Sequence, residues 1–334
     1  VTTKHGQAGA PKVTIRSEGA MLTGQRFPDF ISAGEYSELW NEACRNDGIA
    51  PTWSDEEILK FYDHSDPYNY PDVNWLNEIF KKRTFQTQHN LTISGGTDRV
   101  HYFVNFGYLV QSGLFKTDPS FDYSTNVNLG RYNLRSNIDF QISPSLTAEV
   151  GLGIVSKDFR HPSASTASMM TAAYTFAPNK IPIRNPDGSF CAAILNTYTN
   201  PYMQATHQGY STQVINYFQG TFGLKWDLSS MITPGLSWNN TFSFDQNSAA
   251  INARVKTVTS KQFMGITPEG EDDYKIWNEK TPESFSSGGS GSRSLRLYSQ
   301  LNYDRVFGDH NVSGMLLYNM GESVNVTAGS GTAA

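Results

Sequence analysis

The stretch Val100-His101-Tyr102-Phe103-Val104-Asn105-Phe106-Gly107-Tyr108-Leu109-Val110-Gln111 decides the fold. Tyr102, Val104, Phe106, Tyr108 and Val110 fall on one face, and His101, Asn105, Gly107 and Gln111 on the other. A side-chain period of two is that of a β-strand with unlike faces. Upstream, Gln88 to Ser94 alternates before Gly95-Gly96-Thr97-Asp98-Arg99 turns the chain. Downstream, Tyr132, Leu134, Ile138, Phe140 and Ile142 oppose Arg131, Asn133, Arg135, Asn137, Asp139 and Gln141. Ser143-Pro144-Ser145 turns again, and Leu146, Ala148, Val150, Leu152 and Ile154 resume the apolar side. Residues 85–154 are therefore expected to form an amphipathic antiparallel meander.

Outward from there, Lys12 to Arg16 is one more expected strand, with Val13 and Ile15 set against Thr14 and Arg16. Alternation returns over Gln213 to Asp227, Leu236 to Asp245, Leu295 to Asp304 and from Val312 to Tyr318, making nine strands in all. The Gly/Ser run Ser286 to Ser292 is taken as part of a long connection, and Ala328 to Ala334 as featureless. Residues 155–209 are taken as irregular. Between the first two strands the period becomes helical. Ser32-Ala33-Gly34-Glu35 and Ser54-Asp55-Glu56-Glu57 are capping boxes, and Asn74 to Phe80 allows one or two further turns.

The connections after strands two, four, six and eight are short, and the others run from moderate to very long. Outer-membrane barrels show this asymmetry, with short periplasmic turns and long extracellular loops, whereas a soluble sandwich carries loops at both ends without it. The 334 residues hold 38% hydrophobic residues at a mean hydropathy of −0.45, so no apolar run approaches a membrane helix. A spanning strand needs only ~9–11 residues, half of them polar. Charged residues are 17%, against 20 Phe, 17 Tyr and 6 Trp, which suits β-surfaces with one apolar and one polar face. Tyr and Trp near strand ends are expected to form the interface girdles. The net charge of −5 and the lack of a large Lys/Arg cluster argue against a nucleic-acid partner. Cys44 and Cys191 are taken as unpaired thiols.

Several of these segments together resemble the TonB-dependent outer-membrane transporters of the SusC/RagA type. The likeness rests on Val1-Thr2-Thr3-Lys4-His5-Gly6, similar to the end of that family's plug domain, and on Asn74-Trp75-Leu76-Asn77-Glu78-Ile79-Phe80. It continues in Asn90-Leu91-Thr92-Ile93-Ser94-Gly95-Gly96, Tyr108-Leu109-Val110-Gln111-Ser112-Gly113, Arg131-Tyr132-Asn133-Leu134-Arg135-Ser136-Asn137 and the segment Asn302 to Asn311. The resemblance implies a longer protein, with a plug and a 22-stranded barrel capped by a SusD-type lipoprotein. It implies import of glycans or peptides, with energy delivered through TonB. On this reading residues 1–10 are the end of the plug and a junction. Residues 11–334 are then the N-terminal part of an all-β transmembrane barrel, with a helical extracellular insert at about 23–84. The chain opens on Val1 with no initiator Met or signal peptide, as a piece of something longer would. Nine is an odd strand number, so the rest of the barrel and plug is expected from further residues or another chain.

No catalytic constellation, cofactor motif or metal-ligand spacing is present, so no enzyme is expected. Asp63-His64-Ser65-Asp66-Pro67 offers oxygens for calcium but lacks EF-hand spacing. Weak solute-binding candidates are the loop aromatics Trp53, Tyr68 and Tyr70 and the lumen-facing Arg131 and Arg135. The aromatics, with Phe61, Tyr62 and Trp75, are read first as a small core of the insert. The arginines are read first as wall residues that meet water or the plug. The alternative class is a secreted all-β glycan-binding module without transport activity.

Overall fold

The computed structural model describes residues 4–24, 26–121, 123–192 and 200–333. Strand β1 (Gly9–Thr23) leads into a loop carrying α1 (Ala33–Asn46), α2 (Asp55–Asp63) and α3 (Trp75–Ile79). Strands β2 (Arg83–Gly96), β3 (Val100–Ser112), β4 (Asn128–Ser143) and β5 (Leu146–Pro162) follow. The next loop holds α4 (Thr166–Thr175), the short β6 (Phe190–Cys191) and α5 (Pro201–Thr206). Strands β7 (Gly209–Asp227) and β8 (Leu236–Val255) precede a loop with β9 (Ser260–Ile266) and β10 (Asp272–Asn278). Strands β11 (Ser284–Phe307) and β12 (His310–Ala333) complete the set.

Nine strands form one antiparallel sheet in the order β1-β2-β3-β4-β5-β7-β8-β11-β12. Each pairs with its neighbour along the chain, and register makes the two faces legible as rows. Thr14, Thr92, Asn105, Arg135, Gly153, Gln219, Asp245, Ser294 and Ser323 are successive partners across all nine strands. None of them is apolar apart from the glycine. On the opposite face, Tyr102, Ile138, Val150, Phe222, Phe242, Leu297 and Met320 partner one another across seven strands.

The apolar face is uncovered: Phe106, Phe222 and Phe242 are 42%, 44% and 44% exposed, and Met320 56%. A continuous belt of this kind exceeds what a soluble surface carries and is the face a barrel turns to lipid. Its rims are aromatic. His89, Tyr108 and Tyr132 stack at the loop end, with centroids 6.5 and 4.7 Å apart, and Trp226 stacks on Trp238 at 6.5 Å at the turn end. Above the belt the same outward positions become Ser156, Asp158, Arg160, Asn216 and Gln246. The strands therefore continue past the hydrocarbon into water.

There the sequence reading falls short. Ser286 to Ser292 is strand, inside β11 between Asn247–Ala253 of β8 and Asn325–Thr332 of β12. The end of the chain is strand as far as Ala333. In water neither face needs apolar residues, so the alternation that marks a strand is missing. Strand β1 likewise runs well beyond Lys12–Arg16. The segment taken as irregular contains α4, β6 and α5, and β6 joins β9 and β10 in a second small sheet.

The expected loop asymmetry is present. Residues 97–99, 144–145, 228–235 and 308–309 turn at one edge, and all the long loops lie at the other. Both capping boxes form, around α1 and α2. The buried apolar cluster lies in the loops: Trp75, Leu76, Ile79, Phe115, Met169, Ala173, Phe176, Ile181, Cys191 and Ala205 come from three of them. Cys44 and Cys191 are both buried free thiols. No helix among the described residues is long and apolar enough to cross a membrane.

Candidate functional site: lumen wall and loop crown

The polar face is a wall with something lying on it. Residues 4–8, ahead of β1, cross its inner side: Asn137 Nδ2 donates to the Lys4 carbonyl at 2.6 Å and His5 Nδ1 sits 2.9 Å from Asp139 Oδ2. Gly6 is pressed so closely to the backbone of Gly95 and Tyr102 that a Cβ would overlap them. Asp139 is in register with His101 and Glu149, and Glu149 pairs with Lys225 at 2.5 Å.

Glycines on this face are spaces that longer side chains fill. Arg135 lies across Gly151 and Gly153, and Asn133 occupies the room that a side chain at Gly107 would need. Arg135 is thus part of the wall's own packing. Arg131 is exposed and in register with Lys157, which sets two cations side by side toward the lumen.

The loop aromatics separate into two groups. Phe61 is buried and meets Trp53 and Tyr70 edge-on at 6.1 and 5.3 Å. Asn41 holds the Trp53 backbone, donating to its carbonyl at 2.6 Å and accepting from its N–H at 3.2 Å. Tyr70 donates to Glu57 at 3.2 Å and lies under Lys60. Trp53 and Tyr70 therefore pack within the insert, whereas Tyr68 is 42% exposed. Trp75 does not join them: it meets Phe176 edge-on at 5.6 Å in the main buried cluster. The oxygen-rich stretch Asp63 to Pro67 spends its carboxylates on nearby backbone, Asp63 accepting from Ser65 N and Asp66 from Asn69 N. No group of potential metal ligands occurs among the described residues.

Two cavities in the crown were not legible in the sequence. One, of about 500 Å³, is walled by Phe30, Ile31, Tyr36, Asp72, Trp75 and Tyr174 between the helical insert and α4. The other, of about 350 Å³, opens where β7 and β8 emerge, between Phe121, Arg184, Phe190, His207, Lys256 and Lys280. Strand β7 begins beside it at Gly209, whose φ of +96° is a conformation that glycine tolerates best.

His207 forms the floor of this second cavity, edge-on to Phe121 at 4.8 Å and Phe190 at 4.5 Å. Thr206 donates its hydroxyl proton to the Tyr202 carbonyl, so His207 Nδ1–H donates to Thr206 Oγ1 at 2.6 Å. Burial depresses its pKa to about 4; nearby Asp118 favours the charged form, while Arg184 and Lys256 oppose it. Asp118 stands behind the cavity, 3.5 Å from Arg184 and 3.6 Å from His207. Burial alone would raise its pKa, but hydrogen bonds from Ser120, the His207 field and the Tyr202 hydroxyl lower it instead. These residues come from three loops, and no local pattern joins them.

An inward polar wall, an outward apolar belt with aromatic rims and a one-sided crown define a segment of a transmembrane β-barrel. No family model matches the chain. It is 23% identical over 323 residues to TonB-dependent receptor P3 of Formosa agariphila, covering 94% of this chain and 27% of that protein. With TonB-dependent receptor SusC of Bacteroides thetaiotaomicron it shares 26% identity over 149 residues, 43% of this chain and 13% of SusC. Among solved structures it is similar to the RagAB peptide transporter, with a TM-score of 0.69 at 14% identity, covering 99% of this chain and 37% of that one. The chain thus spans about a quarter of the first of these curated relatives. It resembles the TonB-dependent transporters of the SusC/RagA type in sequence and in fold, as a fragment of their barrel, and its place is the bacterial outer membrane. These relatives are receptors and transporters, not enzymes.

Proposed function

We propose that the chain is part of an active outer-membrane importer of glycans or peptides, energised through TonB and covered by a SusD-type surface lipoprotein. The observation that carries this reading is the row of nine inward polar partners with residues 4–8 docked beside it. A wall that holds a plug segment by hydrogen bonds grips it in one state and releases it in another. Packed apolar surfaces would not separate so readily in water.

Residues 1–10 are, on this proposal, the end of a plug, and 11–334 the first part of a barrel with the helical insert at 23–84. The outer edges of β1 and β12 have no partner among the described strands. In hydrocarbon each unpaired backbone group costs several kcal/mol, so further strands from the same or another chain close the wall. A secreted glycan-binding module fits less well, because it would leave the aromatic-rimmed belt in water.

Uptake of labelled oligosaccharides and peptides by cells carrying the full-length protein tests the reading, with and without TonB. Import that requires TonB and co-purification of a surface lipoprotein are the expected results. Solute entry unaffected by loss of TonB would refute active import.

A further inference from the structure

We propose that the cavity above β7 and β8 binds the carboxylate of an anionic solute on its way to the lumen; the proposal rests on the importer reading above. Arg184, Lys256 and Lys280 line this cavity together with Ser189, Thr257 and Thr259, and no carboxylate among the described residues does. In a chain of net charge −5, three cations around about 350 Å³ form a local exception.

The cations are held in two ways. Arg184 is built in: it donates to the Gly188 carbonyl at 2.8 Å, faces Asp118 at 3.5 Å and stacks over Phe190 at 4.2 Å. Lys256 rests over the Phe121 ring at 4.2 Å, half-buried, and Lys280 is exposed at the mouth. Neither lysine has a carboxylate partner among the described residues, whereas Arg254 and Lys261 close by are paired with Glu283 and Asp187. Asp118 lies behind the wall and is already engaged by Arg184, Tyr202 and Ser120.

Phe121, Phe190 and His207 form a low-dielectric floor on which the Lys256 charge is weakly screened. An arriving carboxylate completes two ion pairs there, and the hydroxyls of Thr257 and Thr259 supply further donors. Acidic sugar units and acidic peptide side chains present the same group, so the cavity selects for charge before it selects for scaffold.

Calorimetry on the full-length protein in detergent tests this with two probe pairs: trigalacturonate against galactotriose, and triglutamate against triglutamine. At least one acidic probe is expected to bind about tenfold tighter than its neutral partner at low salt, with the gap closing as salt rises. The pair that shows the gap names the scaffold. The double substitution Lys256→Gln with Lys280→Gln should remove the preference, and Lys256→Arg with Lys280→Arg should keep it. An unchanged melting temperature confirms that both variants fold. Equal binding of acidic and neutral probes, or a preference that survives the Gln pair, would overturn the proposal. A preference measured in a protein that imports nothing in cells would overturn the importer reading instead.

Discussion

His207 is a neutral imidazole in a place where a carboxylate lies 3.6 Å away, because burial and two nearby cations outweigh that carboxylate. The consequence for stability has a definite sign. Unfolded, the ring titrates near its ordinary value of about 6.5; folded, it titrates at about 4. Below the first value the unfolded chain binds the extra proton, so the crown loses stability as pH falls from ~6.5 towards 4. The protection of residues 200–208 against hydrogen exchange, taken relative to the intrinsic amide rate at each pH, is expected to fall over that window, and His207→Gln to abolish the dependence. A protection factor that stays flat from pH 7 to 4 in the parent protein would contradict the assignment.

The helix caps act at the same scale. Ser54 accepts from Glu57 N–H at 3.3 Å, and the Glu57 carboxylate accepts from Ser54 N–H at 2.8 Å. The backbone and hydroxyl of Ser54 hold the Glu57 pKa below its ordinary value. Replacing Ser54 by Ala is expected to cost about 1 kcal/mol in the insert, read as faster proteolysis at residues 54–63. Cleavage at the parent rate would show that the box adds nothing there.

At the scale of elements, the long strands β5, β7, β8 and β11 have a lower half that alternates and an upper half that does not. Phe222 sits midway between Phe218 and Trp226 in the lower half of β7, with its ring turned outward. Phe222→Arg is expected to destabilise the full barrel by about 2–4 kcal/mol in lipid, the range for a cation at the bilayer midplane. Thr221→Arg, one residue away on the polar face, should cost much less. Denaturant unfolding from liposomes compares the two, and equal costs would mean that the faces are misassigned. In the upper half β11 keeps its place through its ladders to β8 and β12, and backbone hydrogen bonds need no particular side chain.

At the scale of the molecule, two features require more protein than the strands supply: the open edges of the sheet and the polar wall that residues 4–8 only begin to cover. The 334-residue chain produced alone is therefore expected to associate through its edges in detergent. Native mass measurement should find multiples or aggregates, and a stable 37.1 kDa monomer would refute the incomplete wall.

How much of this the residues announce depends on how local each signal is. Period-two alternation is written in consecutive residues, so the Tyr102–Val110 face, the Arg131–Gln141 face and the short turns were legible without coordinates. So were the Ser32 and Ser54 capping boxes, which are complete within four residues. The wall's nine-residue polar row needs register, yet each member was already on the polar side of a recognised strand, except Ser323, which lies beyond the stretch read as the ninth, and Ser294, one residue before the stretch read as the eighth. The Gly/Ser part of β11 was not legible, because a strand in water on both faces has no reason to alternate. Nor were α4, α5 and the small sheet, which are short and held by long-range packing. The cavity of Arg184, His207, Lys256 and Lys280 is the extreme case. With Phe121, its residues are spread from position 121 to position 280, and each alone looks like an ordinary loop residue. Hydrophobic periodicity determined two-faced strands, since solvation acts on each strand separately, and with the alternation of short turns and long loops it determined a barrel wall. Only tertiary structure decided what the loops enclose, since a cavity and its charge exist through the meeting of segments that share no local pattern.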